Sequence, residues 1–212
     1  MSTIEAVIWD FGGVISSSPF EAFARFEAER GLPHGFIRSV NATNPHENAW
    51  ARLERSDFGL DAFDEAFAQE SRALGHEVRG ADILPLLGGV VRPEMVEALR
   101  RIGARLKTGC ITNNFTTTQA SPMGSMYKAE VMALFHHVIE SAKSGLRKPD
   151  PRIYRMMTDA LEVEPAACVY LDDLGINLKP ARELGMKTIK VGDAAPAIAE
   201  LQALVGFALG DR

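Results

Sequence analysis

Ala6-Val7-Ile8-Trp9-Asp10-Phe11-Gly12-Gly13-Val14 opens as an apolar run, halts on a carboxylate and then meets two glycines. A short apolar run bounded by turn residues reads as a buried strand, here one that delivers an acid into a loop. Three later runs repeat the pattern: Leu106 to Ile111 stopping at Thr112, Val138 and Ile139 stopping near Ser141, and Cys168 to Leu171 stopping at Asp172 and Asp173. A fifth, Thr188 to Val191, stops at Gly192. Between them apolar residues recur at helical spacing, as in Met95, Leu99 and Ile102, in Ile153, Met157 and Leu161, and in Leu178, Ala181 and Leu184. Strands alternating with helices predict an α/β fold built on a Rossmann-like parallel sheet.

Residues 17–91 break that rhythm. They lack a convincing strand and carry Phe20, Phe23 and Phe26, then Trp50 and Leu53, then Phe63, Phe67 and Leu74 at helical spacings, punctuated by Gly31, Pro33, Asn44, Pro45, Gly59, Gly75 and Gly80. The organisation expected is a core of residues 1–16 and 92–212 with a helical cap, residues 17–91, inserted after the first strand. Ser16-Ser17-Ser18-Pro19 is the natural hinge, and the cap phenylalanines are expected to pack its interior.

The chain has 212 residues, 46% of them hydrophobic and 24% charged, enough to bury a substantial core. A net charge of -5 gives no surplus of Lys and Arg for a phosphate backbone, so a nucleic-acid partner is not expected. Cys110 and Cys168 each sit inside an apolar run and read as small core residues rather than a disulfide. No stretch approaches the ~18 uninterrupted apolar residues of a membrane span, and the first residues have no basic start. The expectation is a cytoplasmic protein, monomer or homodimer, with no membrane partner. His136 and His137 lie beside an apolar run and read as structural.

Open parallel sheets place their binding crevice at the carboxyl edge of the strands. Asp10, Thr112, Asp172 and Asp173 would share that edge, and Lys148 lies in a loop able to reach it. An Asp, a Thr, a Lys and an Asp pair, in that order, resemble the four motifs of the haloacid dehalogenase (HAD) superfamily. Lys148-Pro149-Asp150-Pro151-Arg152-Ile153-Tyr154 and Tyr170-Leu171-Asp172-Asp173-Leu174-Gly175-Ile176-Asn177-Leu178-Lys179-Pro180-Ala181-Arg182 are similar to the N-terminal phosphatase domain of soluble epoxide hydrolase, and equally to the related domain fused to an acyl-CoA dehydrogenase. The resemblance implies the HAD fold and a hydrolase that removes phosphate from a small phosphorylated molecule through an aspartyl-phosphate on Asp10. It implies Mg²⁺ held by Asp10, Asp173 and the Gly12 carbonyl. Thr112 and the Asn113 backbone or side chain would donate to the phosphoryl oxygens, Lys148 would neutralise their charge, and Asp172 would act through water or orient the nucleophile and Lys148.

One position departs from the family. Two residues after the nucleophile most phosphatases of the superfamily carry a second Asp, the general acid-base, and here stands Gly12. Such assistance is worth ~10² to 10⁴ in rate. A cap residue such as His34, His46 or Glu47 would have to supply the proton, the substrate would need a good leaving group, or the domain would bind without turnover. The second is the reading favoured here. The competing activities are a metal-independent haloacid-type dehalogenase, against which the adjacent acids Asp172 and Asp173 argue, and a weakly catalytic phospholigand-binding domain.

Overall fold

The computed structural model describes residues 3–114 and 128–209. β1 (Ala6–Trp9), β2 (Lys107–Thr112), β3 (His137–Glu140), β4 (Cys168–Asp172) and β5 (Lys187–Lys190) form one sheet in the order β3-β2-β1-β4-β5, and every pairing is parallel. β1 is central and buried on both faces, which explains why it is apolar throughout rather than alternating. Its side chains still divide by the period of two. Ala6 and Ile8 join Ile111 and Tyr170 beneath the helices Pro151–Leu161 and Gly175–Glu183, while Val7 and Trp9 join Val169, Leu171 and Ile189 beneath α6 (Pro93–Gly103) and the helix Ala194–Val205. Met95, Leu99 and Ile102 face the second layer and Ile153, Met157 and Leu161 the first, as their spacing predicts.

Between β1 and α6 the chain forms α1 (Phe20–Glu29), α2 (Phe36–Ala42), α3 (Ala49–Glu54), α4 (Leu60–Ala73) and α5 (Gly80–Ile83). These helices have a hydrophobic cluster of their own, with Phe23, Phe63 and Phe67 buried and Phe20 and Phe26 packed against them. Complete burial of each such ring contributes about 2 kcal/mol. Gly80 belongs to this packing, since a Cβ there would lie 2.7 Å from the Phe63 ring and 2.8 Å from the Asp64 backbone. The segment leaves and rejoins the sheet at one place: Ser16 bridges Val91 antiparallel, Ser17 N donates to Val90 O at 2.8 Å, and Arg92 N donates to Ile15 O at 2.8 Å.

Cys110 and Cys168 are buried free thiols, as their runs predict. His136 is structural, its Nδ1 lying 3.0 Å from Thr108 N and 2.8 Å from Thr108 Oγ1. No described helix is long and apolar enough to cross a membrane.

Candidate active site

The parallel register carries the ends of β1, β2 and β4 to one edge: Trp9 pairs with Cys110 on one side and Leu171 on the other, so Asp10, Thr112 and Asp172 emerge together. Beyond Asp10 the chain makes one wide turn, Phe11–Ile15, closed by Ser16 N donating to Phe11 O at 2.9 Å. The two glycines in it differ. Gly13 sits at φ +75°, and a Cβ there would run into the Asp173 carboxylate, so both backbone and space require glycine. Gly12, at φ -70°, is exposed, with nothing within 4 Å of where its Cβ would stand.

Lys148 comes to the same edge from the loop before the helix Pro151–Leu161. That helix is started by the Asp150 side chain, which accepts from Arg152 N, and by Pro151 in its first turn. The Lys148 ammonium is buried and lies 2.8 Å from Asp10 Oδ1 and 2.8 Å from Asp172 Oδ2. Asp10 Oδ1 also accepts from Phe11 N at 2.6 Å, so these contacts fall on one carboxylate oxygen. Asp172 is saturated by comparison: Leu174 N donates to Oδ1, Asn177 Nδ2 to both oxygens, and the Tyr170 hydroxyl and Lys148 to Oδ2. Asp173 is half-buried and accepts from Ser18 Oγ at 3.3 Å.

Thr112 is buried at the end of β2. The Asn113 amide does not face the edge in the same way. Its Oδ1 accepts from Lys148 N at 2.8 Å, and its Nδ2 donates to Lys148 O and to Glu54 Oε2, both at 3.1 Å. The polar atoms of this side chain are engaged in bracing the lysine's peptide, which leaves the Asn113 backbone as the donor of the two that were expected. His34, His46 and Glu47 are exposed. Sequence reasoning passed over Tyr170 and Asn177 as supports of Asp172, Ser18 as a partner of Asp173, and the Glu54–Arg147 pair. Only Tyr170, two residues before Asp172 on the same strand, left a local signal.

The electrostatics are those of a site short of positive charge. One carboxylate oxygen from each of Asp10, Asp172 and Asp173 lies within 4.8 Å of the others, and among the described residues Lys148 is the ammonium paired with them, with Lys128 further out over the Phe11 ring. Burial pushes the Asp10 carboxyl up; Lys148 pulls it back, but the Asp172 and Asp173 carboxylates add to the rise and it stays above the ordinary range. Burial and then Asp172 push Asp173 up to about 6. Burial disfavours the Lys148 ammonium, but Asp10 and Asp172 outweigh it and hold its pKa above that of an ordinary lysine. Three carboxylates gathered this closely fit a hard divalent cation, which takes oxygen ligands.

A pH-dependent prediction follows from these directions. A carboxyl whose folded pKa is raised binds more protons folded than unfolded, so its contribution to stability falls as pH rises from the unfolded value near 3.8 towards about 6 for Asp173 and further for Asp10. In EDTA the contribution of this pair to Tm is expected to fall across that window. If Asp10 and Asp173 hold Mg²⁺, the ion is expected to raise Tm more at pH 8 than at pH 5.5, because carboxyls must lose their protons to bind it. Thermal melts with and without Mg²⁺ check this, and a Mg²⁺ shift independent of pH would contradict it.

A parallel sheet with a lysine and three aspartates gathered at its carboxyl edge, joined to a helical segment after the first strand, defines a Rossmann-like α/β protein with an acidic centre at the strand ends. The profile of the haloacid dehalogenase-like hydrolases matches residues 4–185, and the chain belongs to that family. It is 33% identical over 210 residues to acyl-CoA dehydrogenase family member 10 of Mus musculus, a match covering 96% of this chain and 19% of that protein. It is 39% identical over 217 residues to bifunctional epoxide hydrolase 2 of Rattus norvegicus, covering 96% of this chain and 39% of that protein. The chain thus spans well under half the length of these two relatives. Phosphatase MT3486 of Mycobacterium tuberculosis (strain CDC 1551 / Oshkosh) is 35% identical over 206 residues, with 89% of this chain and 88% of that protein covered. Among solved structures, the HAD family enzyme bt-2542 of Bacteroides thetaiotaomicron, in complex with magnesium and inorganic phosphate, superposes with a TM-score of 0.61 at 17% identity, covering 93% of this chain and 98% of that one. That likeness is one of fold.

Proposed function

We propose that the chain is a Mg²⁺-dependent phosphatase acting on a small phosphorylated metabolite, with Asp10 as nucleophile. The observation that carries the reading is the gathering of Asp10, Lys148, Asp172 and Asp173 at one strand edge. Similarity to a phosphatase along most of both chains supports it. Asp10 Oδ2, free of the contacts made by Oδ1, attacks phosphorus in line; the bond to the leaving oxygen breaks and an aspartyl-phosphate forms. Water then attacks that phosphorus, releasing inorganic phosphate and restoring the carboxylate. An anionic nucleophile and an anionic phosphate repel by roughly 4 kcal/mol per charge pair at 4 Å in a medium of dielectric about 20. Lys148 offsets part of this, held in place by Asp172, whose oxygens are already filled by donors. Thr112 and the Asn113 backbone donate to the phosphoryl oxygens. Asp10, Asp173 and the Gly12 carbonyl hold Mg²⁺, which supplies the remaining positive charge. Residues 17–91 act as a cap over a core of residues 1–16 and 92–212, and the cap selects the substrate.

Phosphate release from a panel of phosphate esters, with Mg²⁺ and with EDTA, tests the reading, with halide release from 2-haloacids as the competing readout. Metal-dependent phosphate release supports it. Halide release that persists in EDTA would replace it with the dehalogenase, and release of neither would leave a binding domain.

The vacant space at Gly12 gives a sharper prediction. With no carboxyl side chain at position 12 to protonate it, the leaving group departs as the anion, so aryl and acyl phosphates are expected to turn over faster than alkyl phosphates. At Gly12 the backbone is at an ordinary φ and a Cβ would meet nothing within 4 Å, so Gly12→Asp starts from unstrained ground. It should raise alkyl phosphate turnover by roughly 10² and narrow the difference. Equal parental rates on matched alkyl and aryl esters would contradict the argument.

A further inference from the structure

The strongest candidate outside the nucleophile's own contacts is a buried polar cluster between α3 and the loop that carries Lys148. Glu54, the last residue of α3, is only 6% exposed and makes three hydrogen bonds. Its Oε2 accepts from Arg147 Nε at 2.7 Å and from Asn113 Nδ2 at 3.1 Å, and its Oε1 accepts from Trp50 Nε1 at 2.9 Å. Arg147 NH1 donates to Pro45 O at 2.9 Å, and Ser56 Oγ donates to Ala142 O at 3.2 Å beside them. A carboxylate this buried is retained at a desolvation cost unless every lone pair is used, and here the donors come from both the helical segment and the core. The connection continues inward. The Asn113 amide that meets Glu54 also grips both the N–H and the carbonyl of Lys148, and the Lys148 ammonium touches Asp10 and Asp172.

We propose that Glu54 is a positioning residue that acts through Asn113 and Arg147 to set Lys148 against Asp10, so that the lysine is correctly placed only while the helical segment is docked. Glu54 touches neither Lys148 nor Asp10, and its effect on the reaction therefore runs through the Asn113 amide and the peptide of Lys148. Substrate selection by the helical segment and competence of the core become one event: when α3 lifts away, Arg147 loses its counter-charge and Asn113 loses the acceptor that orients its amide. This rests on the phosphatase reading only where turnover is the readout.

The test measures Mg²⁺-dependent hydrolysis of an aryl phosphate by the full chain and by Glu54→Ala, Glu54→Gln, Asn113→Ala and the double variant Glu54→Ala/Asn113→Ala. Glu54→Ala is expected to lower kcat roughly 10- to 100-fold with KM nearly unchanged. Glu54→Gln, which keeps an acceptor for Asn113, is expected to recover most of kcat. The double variant is expected to be no slower than the slower single variant, the pattern of residues acting as one unit. Losses that multiply, or a parental kcat in Glu54→Ala, overturn the proposal. Should Glu54→Ala not fold, Glu54→Asp keeps the charge but withdraws it by one methylene; a fall in kcat supports the proposal and a parental kcat overturns it. Hydrogen exchange at the Lys148 amide gives a reading independent of turnover: faster exchange in the Glu54 variant than in the parent supports the coupling, and equal exchange overturns it. A parent chain that releases no phosphate defeats the phosphatase reading alone, and the Lys148 amide then decides this one.

Discussion

Asp10→Asn is expected to reduce phosphate release by about 10⁴-fold or more, because a carboxamide cannot form the acyl-phosphate on which turnover depends. The same substitution is expected to leave the protein as stable as the parent, or more stable, in EDTA. Asp10, Asp172 and Asp173 face one lysine, and burial together with the other carboxylates already holds the Asp10 carboxyl above its ordinary range. Replacing it with a neutral side chain of the same size relieves that crowding and leaves Lys148 paired with Asp172 at 2.8 Å. Phosphate release and a thermal melt on one preparation separate the two effects. Activity within about tenfold of the parent would remove Asp10 from the nucleophile's place, and a large fall in Tm would mean that the site is not short of positive charge.

Lys148→Met is expected to fail in both measurements. The methionine fills much of the lysine's volume but strips Asp10 and Asp172 of their common cation inside a closed site. Breaking a buried pair costs about 3 to 5 kcal/mol, which in a chain of this size corresponds to a Tm lower by roughly 6 to 20 °C near neutral pH. At pH 5 the loss should shrink, since a proton can then neutralise Asp10, whose carboxyl already lies above its ordinary range. A variant with parental Tm at pH 8 would show that the carboxylates do not need the ammonium. Retained turnover would show that the phosphoryl charge is met by another group.

The strands and the polar stops at Asp10, Thr112 and Asp172 were legible because each is a local event, an apolar run ended by an acid or a threonine, and parallel pairing then carries those stops to one edge. Even Gly13 was readable as a turn residue, although the reason it must be glycine, the Asp173 carboxylate against it, comes from 160 residues away. What stayed hidden was the bracing. The motif places Asn113 beside Thr112 but gave no sign that its side-chain amide is committed to Lys148 and Glu54. Glu54 and Arg147 are 93 residues apart and Ser18 and Asp173 are 155 apart, and no periodicity or motif spacing connects such partners. Helix spacing revealed that the segment after β1 packs upon itself, but not which of its polar residues would turn towards the core.

The bridge between Ser16 and Val91 makes the sheet-bearing part of the chain nearly continuous in space although it is broken in sequence. With Ser17 N only 2.8 Å from Val90 O, a loop of a few residues would close the gap left by excising everything between them. Five helices can therefore be exchanged, lengthened or deleted at a single seam without re-threading a strand. A replacement segment would still have to bring a carboxylate to the place where Glu54 meets Arg147 and Asn113, so the seam is free to vary while that one contact is not.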